Sequence, residues 1–464
     1  MLRHGERILR ILKGSAAAEL RSLLELPAAS QAVQAGDLVG TRFLDAGETK
    51  ALLAEPTVAA LAASIESPVV LEHEPVEVPT YPYEWIPEML QSAGELTLRL
   101  GRNLLEIPAA LKDATPYNVL FRGTQPVLVD VASMERRDPH DPTWLAYGQF
   151  TRTFLLPLLL QHRFGIAPDT LFLGRWDGWT PEEVYPWLGW GTRIRPPYLG
   201  LITLPRLLAK THDPLDSSLY KPRRMANPEQ AAYVVGSLLR SLERQLRRCW
   251  PGKDQSTTWS GYVQTTHDPA YYDRRENLVS AALQKFPAGR VLDIGCNTGR
   301  YSLLAARGKS KVVGLDQDAG ALAQLWRAAR RENLSVLPVY ANIARPSPAV
   351  GWRYQECRSL LDRFRGRFDT VLMLAVIHHL LVTERIPLAE VASLTAELTR
   401  DVLIVEYIAP QDDLFRRILR GRDDLHRDLN RERFEDVFLR LFDMVETTEV
   451  MEGRRWLYVL RKKT

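Results

Sequence analysis

Residues 291–300 read VLDIGCNTGR, an apolar segment followed directly by a turn rich in glycine and polar side chains. Gly295 and Gly299 permit a tight turn and a close approach of the backbone to a ligand, and Asn297 tolerates a left-handed backbone conformation. A helix that begins after this turn points its unpaired amide groups back toward it. The pattern therefore predicts a strand, a turn and a helix that together bind a nucleotide-containing cofactor.

The spacing of the glycines separates two classes of cofactor. Dinucleotide-binding folds use the pattern G-x-G-x-x-G, which places a pyrophosphate at the helix N-terminus. Here the pattern is D-x-G-x-x-x-G, and Asp293 stands two residues before the first glycine. A carboxylate at this position repels a pyrophosphate and attracts the ammonium group of a cofactor that carries an amino acid. The turn therefore favours S-adenosylmethionine over NAD.

A second strand with a terminal acid follows, because residues 311–316 read KVVGLD. An acid about twenty residues after the turn binds the ribose hydroxyls in doubly wound folds. Asp316 can accept both hydroxyl hydrogens in charge-assisted bonds of roughly 1.5 to 3 kcal/mol each. With DIGCNTGR followed by VVGLD, residues from about 260 to 464 resemble the class I S-adenosylmethionine-dependent methyltransferases. The resemblance implies an enzyme that transfers a methyl group from this cofactor.

The resemblance also implies which positions contact the cofactor. In this family the third strand, here residues 337–343, ends beside the adenine, and Asn342 stands where members usually carry aspartate. The segment before the first strand commonly folds over the cofactor, so Tyr262 is expected above the sulfonium. The expected cofactor-binding residues are Tyr262, Asp293, Gly295, Cys296, Asn297, Gly299, Asp316, Gln317, Asn342, Ile343 and Ala375.

Polar side chains also accompany the predicted fourth and fifth strands. His378 and His379 follow the fourth, and Glu406 lies near the end of the fifth, at the sheet edge where open α/β folds bind ligands. These segments resemble methyltransferases grouped with host-specific nodulation proteins, a likeness that supplies no substrate. If the acceptor is a hydroxyl group, the three residues are candidate general bases. The alternative is that the histidines cap the turn or pack in the core.

The sequence predicts an α/β fold, with a Rossmann-like seven-stranded methyltransferase domain over residues 261–464. Five parallel strands are expected near residues 290–294, 311–316, 335–340, 368–374 and 400–406. The resemblance implies that two further strands, near residues 442–447 and 455–461, close the sheet as an antiparallel hairpin.

Residues 1–210 are expected to form a separate α+β domain. Residues 1–26 carry basic and apolar residues at helical spacing, residues 49–65 suggest one helix, residues 68–72 a strand, and residues 87–100 an amphipathic helix. Residues 211–260 are expected to contain a linker and a bridging helix at 229–247.

The first half contains a second group of functional residue types. Asp113 and Asn118 precede a predicted hairpin, and Asp130 follows it. This order resembles the catalytic loop of the protein kinase and aminoglycoside phosphotransferase superfamily, in which the first aspartate is the base and the other two residues hold magnesium. The usual histidine before the base and the glycine-rich loop are missing. The predicted domain is therefore kinase-like and degenerate, and the alternatives are a working phosphotransferase or a non-enzymatic cofactor-sensing scaffold.

Composition limits the class of protein and its partners. The 464 residues are 45% hydrophobic and 25% charged, with a net charge of +4, which gives no argument for a nucleic acid partner. The three cysteines have no paired or metal-ligand spacing, and no apolar run is long enough to span a membrane. We therefore expect a cytoplasmic protein without a bound metal. Its methyl acceptor is expected to be a small molecule or glycan.

Overall fold

The computed structural model describes residues 2–209, 224–250, 252, 269–419 and 428–463. The chain divides into two compact units. The amino-terminal unit comprises Met1–Pro82, Met89–Phe121 and Gln125–Gly252. The carboxy-terminal unit comprises Tyr83–Glu88, Arg122–Thr124 and Lys253–Thr464.

The amino-terminal unit begins with an antiparallel sheet rather than a helix. Its strands are β1 (Leu2–His4), β2 (Arg7–Lys13), β3 (Thr41–Phe43) and β4 (Pro68–His73), in the order β1-β2-β4-β3. The helical spacing noted over residues 1–26 is wrong for the strands β1 and β2, whereas a helix does form over Gly14–Leu24. Gly5, with φ of 58°, allows the turn between β1 and β2, and β2 pairs with β4 far along the chain. Such non-local pairing leaves no mark on local periodicity.

Four helices accompany this sheet: α1 (Gly14–Leu24), α2 (Pro27–Gln34), α3 (Ala46–Leu53) and α4 (Pro56–Ala62). The single helix predicted over residues 49–65 is divided in two. Pro56 has no backbone N–H and its ring clashes with a preceding helical turn, so it begins a new helix. The small core of this sheet and its helices contains Leu9, Leu44, Leu52, Val58 and Val70.

The middle of the chain contributes α5 (Pro87–Leu104) and two short strand pairs. Strand β5 (Ala109–Leu111) pairs with β8 (Met134–Arg136), and β6 (Val119–Arg122) pairs with β7 (Gln125–Leu128). The helices that follow are α6 (Tyr147–Phe150), α7 (Leu156–Phe164), α8 (Pro168–Phe172), α9 (Pro181–Val184), α10 (Trp190–Arg193) and α11 (Leu204–Ala209).

Helix α12 (Pro228–Cys249) packs within the amino-terminal unit, where the sequence predicted a bridging helix in a linker. Its apolar face includes Val235, Leu239, Leu242 and Leu246, at the three- and four-residue intervals of one helix face. A Cβ at Gly94 of α5 would lie 3.1 Å from the Leu246 side chain. The glycine therefore permits the two helices to approach closely.

The carboxy-terminal unit contains the seven-stranded sheet. The strands are β9 (Arg290–Ile294), β10 (Lys311–Asp316), β11 (Val336–Tyr340), β12 (Phe368–Met373), β13 (Thr399–Ile408), β14 (Phe442–Met451) and β15 (Arg455–Lys462). Their order is β11-β10-β9-β12-β13-β15-β14. Strands β9 to β13 are parallel, and β15 is antiparallel to both of its neighbours. The predicted Rossmann-like sheet with its final hairpin is confirmed.

Helices connect the parallel strands, as parallel pairing requires. Helix α13 (Pro269–Lys285) precedes β9, and the connecting helices are α14 (Arg300–Arg307), α15 (Ala319–Glu332), α16 (Leu360–Phe364) and α17 (Leu388–Leu398). Helices α18 (Asp413–Leu419) and α19 (Arg431–Phe438) lie between β13 and the final hairpin. The strand order reverses between β9 and β12. Ligands of open α/β sheets bind at this point, outside the carboxyl ends of the strands.

Two short segments from the first half of the chain belong to the carboxy-terminal unit, although the sequence assigned them to the first domain. Glu84 lies in one of them, and its carboxylate is fully buried. It pairs with the buried guanidinium of Arg363, with Nη1 at 3.0 Å from Oε2, and it also accepts a hydrogen bond from Ser347 Oγ. Removing one partner of a buried ion pair costs roughly 3 to 5 kcal/mol, so this pair ties the segment to the unit.

Candidate cofactor and methyl-transfer site

The turn after β9 is fixed by its neighbours in the sheet. The N–H groups of Gly295 and Cys296 both donate to the Leu315 carbonyl of β10, at 2.8 and 3.1 Å. Gly295 has a φ of 72°, and a Cβ there would lie 2.5 Å from Cγ2 of Val376. The positive φ and the short distance to Val376 both require glycine at this position. The group that a Cβ would meet is thus a side chain of the protein, where the sequence suggested a ligand.

The second half of the turn also has a left-handed backbone. Asn297 has a φ of 50°, and Gly299, the residue before α14, has a φ of 84°. A Cβ at Gly299 would lie 2.2 Å from Cδ1 of Leu325. Gly299 therefore shapes the turn against α15. The φ of Asn297 agrees with the left-handed backbone that the sequence allowed for this residue.

Asp316, at the end of β10, joins this turn to the second strand. Its Oδ2 accepts the N–H of Asn297 at 2.8 Å, and its Oδ1 accepts the N–H of Asp318 at 2.9 Å. Burial raises the pKa of the carboxyl group, and the two backbone hydrogen bonds partly oppose that shift. Each carboxylate oxygen can accept more than one hydrogen bond, so both retain capacity for ribose hydroxyls.

Asp293 is the acid of the turn motif, and it lies deeper than Asp316. Its Oδ2 accepts a hydrogen bond from Ser302 Oγ at 2.6 Å, and the residue is 2% exposed. Burial raises its pKa to about 6, while the Ser302 hydrogen bond lowers it. The Ser302 hydrogen bond favours the ionised form of the carboxyl group, which carries the negative charge on which the choice of cofactor was based.

A cavity of about 230 Å³ opens at the carboxyl ends of β9, β10, β11 and β12. Nine of the predicted cofactor-binding residues line it: Asp293, Gly295, Cys296, Asn297, Asp316, Gln317, Asn342, Ile343 and Ala375. Gly299 does not line the cavity, and Tyr262 lies outside the described residues. The structure therefore brings together side chains from four strand ends, as the sequence predicted.

The cavity wall includes Asn342, which joins two loops, and Ala375, which has a left-handed backbone. The amide of Asn342 donates to Oε1 of Gln317 at 3.0 Å, and its Oδ1 accepts the N–H of Ala344 at 2.8 Å. Asn342 thus holds the loop after β11 against the loop after β10. Ala375, which follows β12, has a φ of 55°, and such strain in a residue other than glycine is concentrated at functional sites.

A buried polar network that the sequence did not predict forms part of the cavity wall. Tyr271 and Arg275 of α13 line the cavity and contact Glu406, with distances of 2.6 Å from Tyr271 Oη to Oε1 and 2.8 Å from Arg275 Nη1 to Oε2. Arg455 of β15 donates to Tyr271 Oη at 2.8 Å and is paired with Asp412 at 2.7 and 2.9 Å.

The network determines the state of Glu406. Burial by itself raises the pKa of this carboxyl group, but its ion pairs with Arg275 and Arg455 and the Tyr271 hydrogen bond produce a net lowering. Glu406 does not line the cavity. A carboxylate paired with two guanidinium groups is a weak base, so this geometry does not fit the predicted role of Glu406 as a general base.

One guanidinium nitrogen of Arg275 takes no part in this network of hydrogen bonds. Its Nε donates to Tyr301 Oη at 2.6 Å, and its Nη1 donates to Tyr271 and Glu406. Among the described residues, Nη2 has no hydrogen-bond partner, and the side chain lines the cavity. The cavity wall therefore contains both a positively charged hydrogen-bond donor, Arg275, and a carboxylate acceptor, Asp316.

The two histidines after β12 have different surroundings. His379 lines the cavity, and burial lowers its pKa. His378 does not line the cavity, is 2% exposed, and has no partner for either ring nitrogen within the described structure. Burial and the neighbouring His379 lower its pKa well below the usual value. Of the predicted bases, His379 alone has a side chain in the cavity wall.

The described residues contain no cluster of three or more histidine, cysteine, aspartate or glutamate side chains suited to a metal ion. None of the helices in the described ranges is long and apolar enough to cross a bilayer.

Comparisons with known proteins agree with this geometry. Residues 291–397 match the family model of a methyltransferase domain. Over 463 residues the chain is 29% identical to the nodulation protein NoeA of Rhizobium meliloti strain 1021, a similarity that covers 98% of this chain and 92% of that protein.

Two solved structures are among the similar ones. N-methyltransferase NodS from Bradyrhizobium japonicum WM9 with S-adenosyl-L-homocysteine has a TM-score of 0.32 and 14% identity, covering 48% of this chain and 98% of NodS. The bifunctional kinase-methyltransferase WbdD has a TM-score of 0.29 and 19% identity, covering 41% of this chain and 38% of WbdD. Likenesses at these TM-scores do not establish a shared fold.

Proposed function

We propose that this chain, a class I methyltransferase whose cofactor is S-adenosylmethionine, methylates a hydroxyl group of a small molecule or glycan. The observation that carries the proposal is the position of His379 in the wall of the cavity, with a pKa lowered by burial. A hydroxyl group is protonated at neutral pH, so its attack is assisted by a neutral base nearby.

The polar groups of the cavity fit the cofactor. Asp316 would accept the two ribose hydroxyls, and Nη2 of Arg275 would donate to the carboxylate of the methionine portion. Asp293 places a negative charge near the ammonium group. The wall also offers apolar side chains, Leu315, Ala341 and Ile343, for the adenine. When bound, the cofactor supplies a methyl group on a positively charged sulfur.

The residues of the chain would then act mainly by position. The strand ends hold the acceptor and cofactor in line, which lowers the entropic part of the barrier. The imidazole of His379 would receive the proton of the acceptor hydroxyl. Tyr262 stays a predicted cover for the cofactor.

The acceptor class rests on charge and on the chemistry of the base. The net charge of +4 over 464 residues gives no support for nucleic acid. The main alternative is an amine acceptor. A protonated amine must lose a proton before it attacks, and His379 would act as the base in that reaction as well. A non-enzymatic scaffold has no support, because Asp293 and Asp316 are both present and placed at the cavity.

The acceptor can be found by a screen for methyl incorporation. Extracts fractionated into proteins, nucleic acids, glycans and small molecules would be incubated with the enzyme and labelled S-adenosylmethionine. We expect label in glycans or small molecules, on a bond stable to conditions that cleave methyl esters, and much less label with the Asp316→Ala variant at subsaturating cofactor. Label confined to protein or nucleic acid, or recovered as an N-methyl group, would contradict the proposal.

We further propose that the amino-terminal unit contains a degenerate kinase-like region. Helix α5, the loop with Asp113 and Asn118, the β6–β7 hairpin and Asp130 follow in the predicted order. Lys112 N–H donates to the Ser133 carbonyl at 2.9 Å, and Val129 N–H donates to the Asn118 carbonyl at 2.8 Å. These bonds support the predicted convergence of the two segments.

The surroundings of Asp130 argue against phosphotransfer. Its Oδ1 is 2.7 Å from Nη2 of Arg10, a residue of β2, and it also accepts the Ala132 N–H at 3.2 Å. Arg10 thus places a fixed positive charge where a magnesium ion would need the carboxylate. The amide nitrogen of Asn118 is buried without a partner among the described residues.

We expect no magnesium-dependent ATP hydrolysis by the purified protein. The Arg10–Asp130 ion pair and the missing glycine-rich loop leave neither the metal nor the phosphates a complete site. The measurement is release of labelled phosphate, with Asp130→Ala as the matched variant. Hydrolysis by the wild type that disappears in Asp130→Ala would show a working phosphotransferase and overturn this proposal.

A further inference from the structure

One stretch of the amino-terminal unit differs in charge from the rest of the chain. No acidic residue stands between Glu183 and Asp213, although acidic residues make up 56 of the 464. The same stretch contains Arg193, Arg195 and Arg206. It therefore presents positive charge without nearby carboxylates in the sequence to neutralise it.

Large apolar side chains of this stretch are exposed. Trp190 is 78% exposed and Ile194 is 54% exposed, at α10 and just after it. Leu204 and Leu207 of α11 are 47% and 50% exposed, and their three-residue spacing places them on one face of that helix. Single exposed apolar residues are ordinary, but several within one short stretch indicate an interaction surface.

Contacts inside the unit connect the segments that carry these residues. The guanidinium of Arg193 lies 4.0 Å from the Tyr185 ring centroid, and that of Arg206 lies 4.5 Å from the same ring. Thr203 Oγ1 also donates to the Arg193 carbonyl at 2.8 Å. The segments before and after α10 and the start of α11 are thus joined at Tyr185. We name this surface, formed by Trp190, Ile194, Arg195, Leu204 and Leu207, the α10–α11 patch.

We propose that the α10–α11 patch binds the surface of an anionic lipid bilayer. Tryptophan prefers the interface of a bilayer, and leucine and isoleucine side chains can enter the boundary of the acyl region. The Arg195 side chain of the same patch is attracted by anionic headgroups. Helix α11 spans Leu204–Ala209, which is far too short to cross a bilayer, so the binding is peripheral.

The charge of the patch separates this occupant from a second copy of the chain. A symmetric dimer would bring the same patch of two copies together, and the positive charge of one copy would then face that of the other. An anionic bilayer offers both an apolar layer and negative charge. A protein partner would need an acidic rim around an apolar groove, and it is the alternative that the experiment must separate.

The test is co-sedimentation of the purified full-length protein with vesicles. One set contains phosphatidylcholine alone, and the other contains phosphatidylcholine with phosphatidylserine. We expect at least about tenfold stronger binding to the anionic set at low salt, with the difference reduced at high salt. The double variant Trp190→Glu/Leu207→Glu should lose most of this binding, and Arg195→Glu should weaken it.

Trp352→Glu is the matched control, because Trp352 is 77% exposed and lies in the carboxy-terminal unit. It should keep wild-type vesicle binding. Thermal unfolding and S-adenosylmethionine affinity are measured for every variant to identify any that misfold. If the double variant misfolds, vesicle binding by Arg195→Glu decides whether the proposal stands. Wild-type protein that fails to bind anionic vesicles, or equal loss in Trp352→Glu, would overturn the proposal. The proposal would also be overturned if the wild type did not bind vesicles but associated with itself or with an acidic protein, and the double variant lost that association.

Discussion

Replacing Asp316 with alanine is expected to weaken S-adenosylmethionine binding at least about tenfold, as measured by titration calorimetry. Two charge-assisted hydrogen bonds to the ribose, at roughly 1.5 to 3 kcal/mol each, would be lost, and water would compensate in part. The variant also loses the acceptor for the Asn297 N–H, which holds the turn after β9. Loosening of this turn adds to the loss of affinity.

Asp318→Ala is the matched control, because this carboxylate is two residues away and serves a different purpose. It caps α15 by accepting the N–H groups of Gly320 and Ala321 at 2.9 and 3.0 Å, and it does not line the cavity. We expect a loss of about 1 kcal/mol in the free energy of unfolding and near wild-type affinity. Unchanged affinity of the Asp316→Ala variant for S-adenosylmethionine would show that Asp316 does not bind the ribose.

The parallel strands could be predicted closely because they are buried on both faces. Strands such as Lys311–Asp316 are therefore continuous apolar runs, and their bounds are visible in the sequence. The turn between Gly295 and Gly299 was visible for a different reason, since a positive φ restricts the residue types that can occupy it. Where local physics dictates the residue, the sequence predicts the structure.

The polar network in the cavity wall could not be predicted from local sequence. Tyr271 and Arg275 come from α13, Glu406 from β13 and Arg455 from β15. Nothing in the local sequence of these four residues indicates their contacts, because each contact joins positions far apart in the chain. Glu406 was therefore assigned to chemistry on the basis of its strand end alone.

The Glu84–Arg363 pair is a second example. Glu84 stands in a proline- and tyrosine-rich segment that the sequence assigned to the first domain. In the structure it is buried with Arg363 and is part of the carboxy-terminal unit. A sequence divided into consecutive domains cannot show that a short internal segment packs with the other unit.

Once an acceptor is known, His379→Ala is expected to lower turnover by roughly 10²-fold and to leave S-adenosylmethionine affinity nearly unchanged. The reason is that His379 lines the cavity and would take the proton only in the chemical step. The measurement is kcat under saturating cofactor, together with the dissociation constant of the cofactor. A purely structural histidine would alter both.

The dependence of turnover on pH gives a separate test of the same role. Burial lowers the pKa of His379 below the usual 6.5, so the neutral base persists into mildly acidic solution. At saturating cofactor, kcat should therefore stay level as pH falls from 8 through 6.5 and decline only below it. In His379→Ala this decline should be absent, because the titrating base has been removed.

His378→Phe is the control for the neighbouring residue. The His378 ring is buried and both of its nitrogens lack partners among the described residues, so an apolar ring of similar shape should leave stability equal or higher. Since the pKa of His378 is well below 6.5, its protonation opposes folding, and stability is lost as pH falls below that value. His378→Phe should reduce this acid sensitivity and keep wild-type turnover. If His379→Ala also keeps wild-type turnover, the histidine pair is structural and methyl transfer depends on the positioning of the acceptor alone.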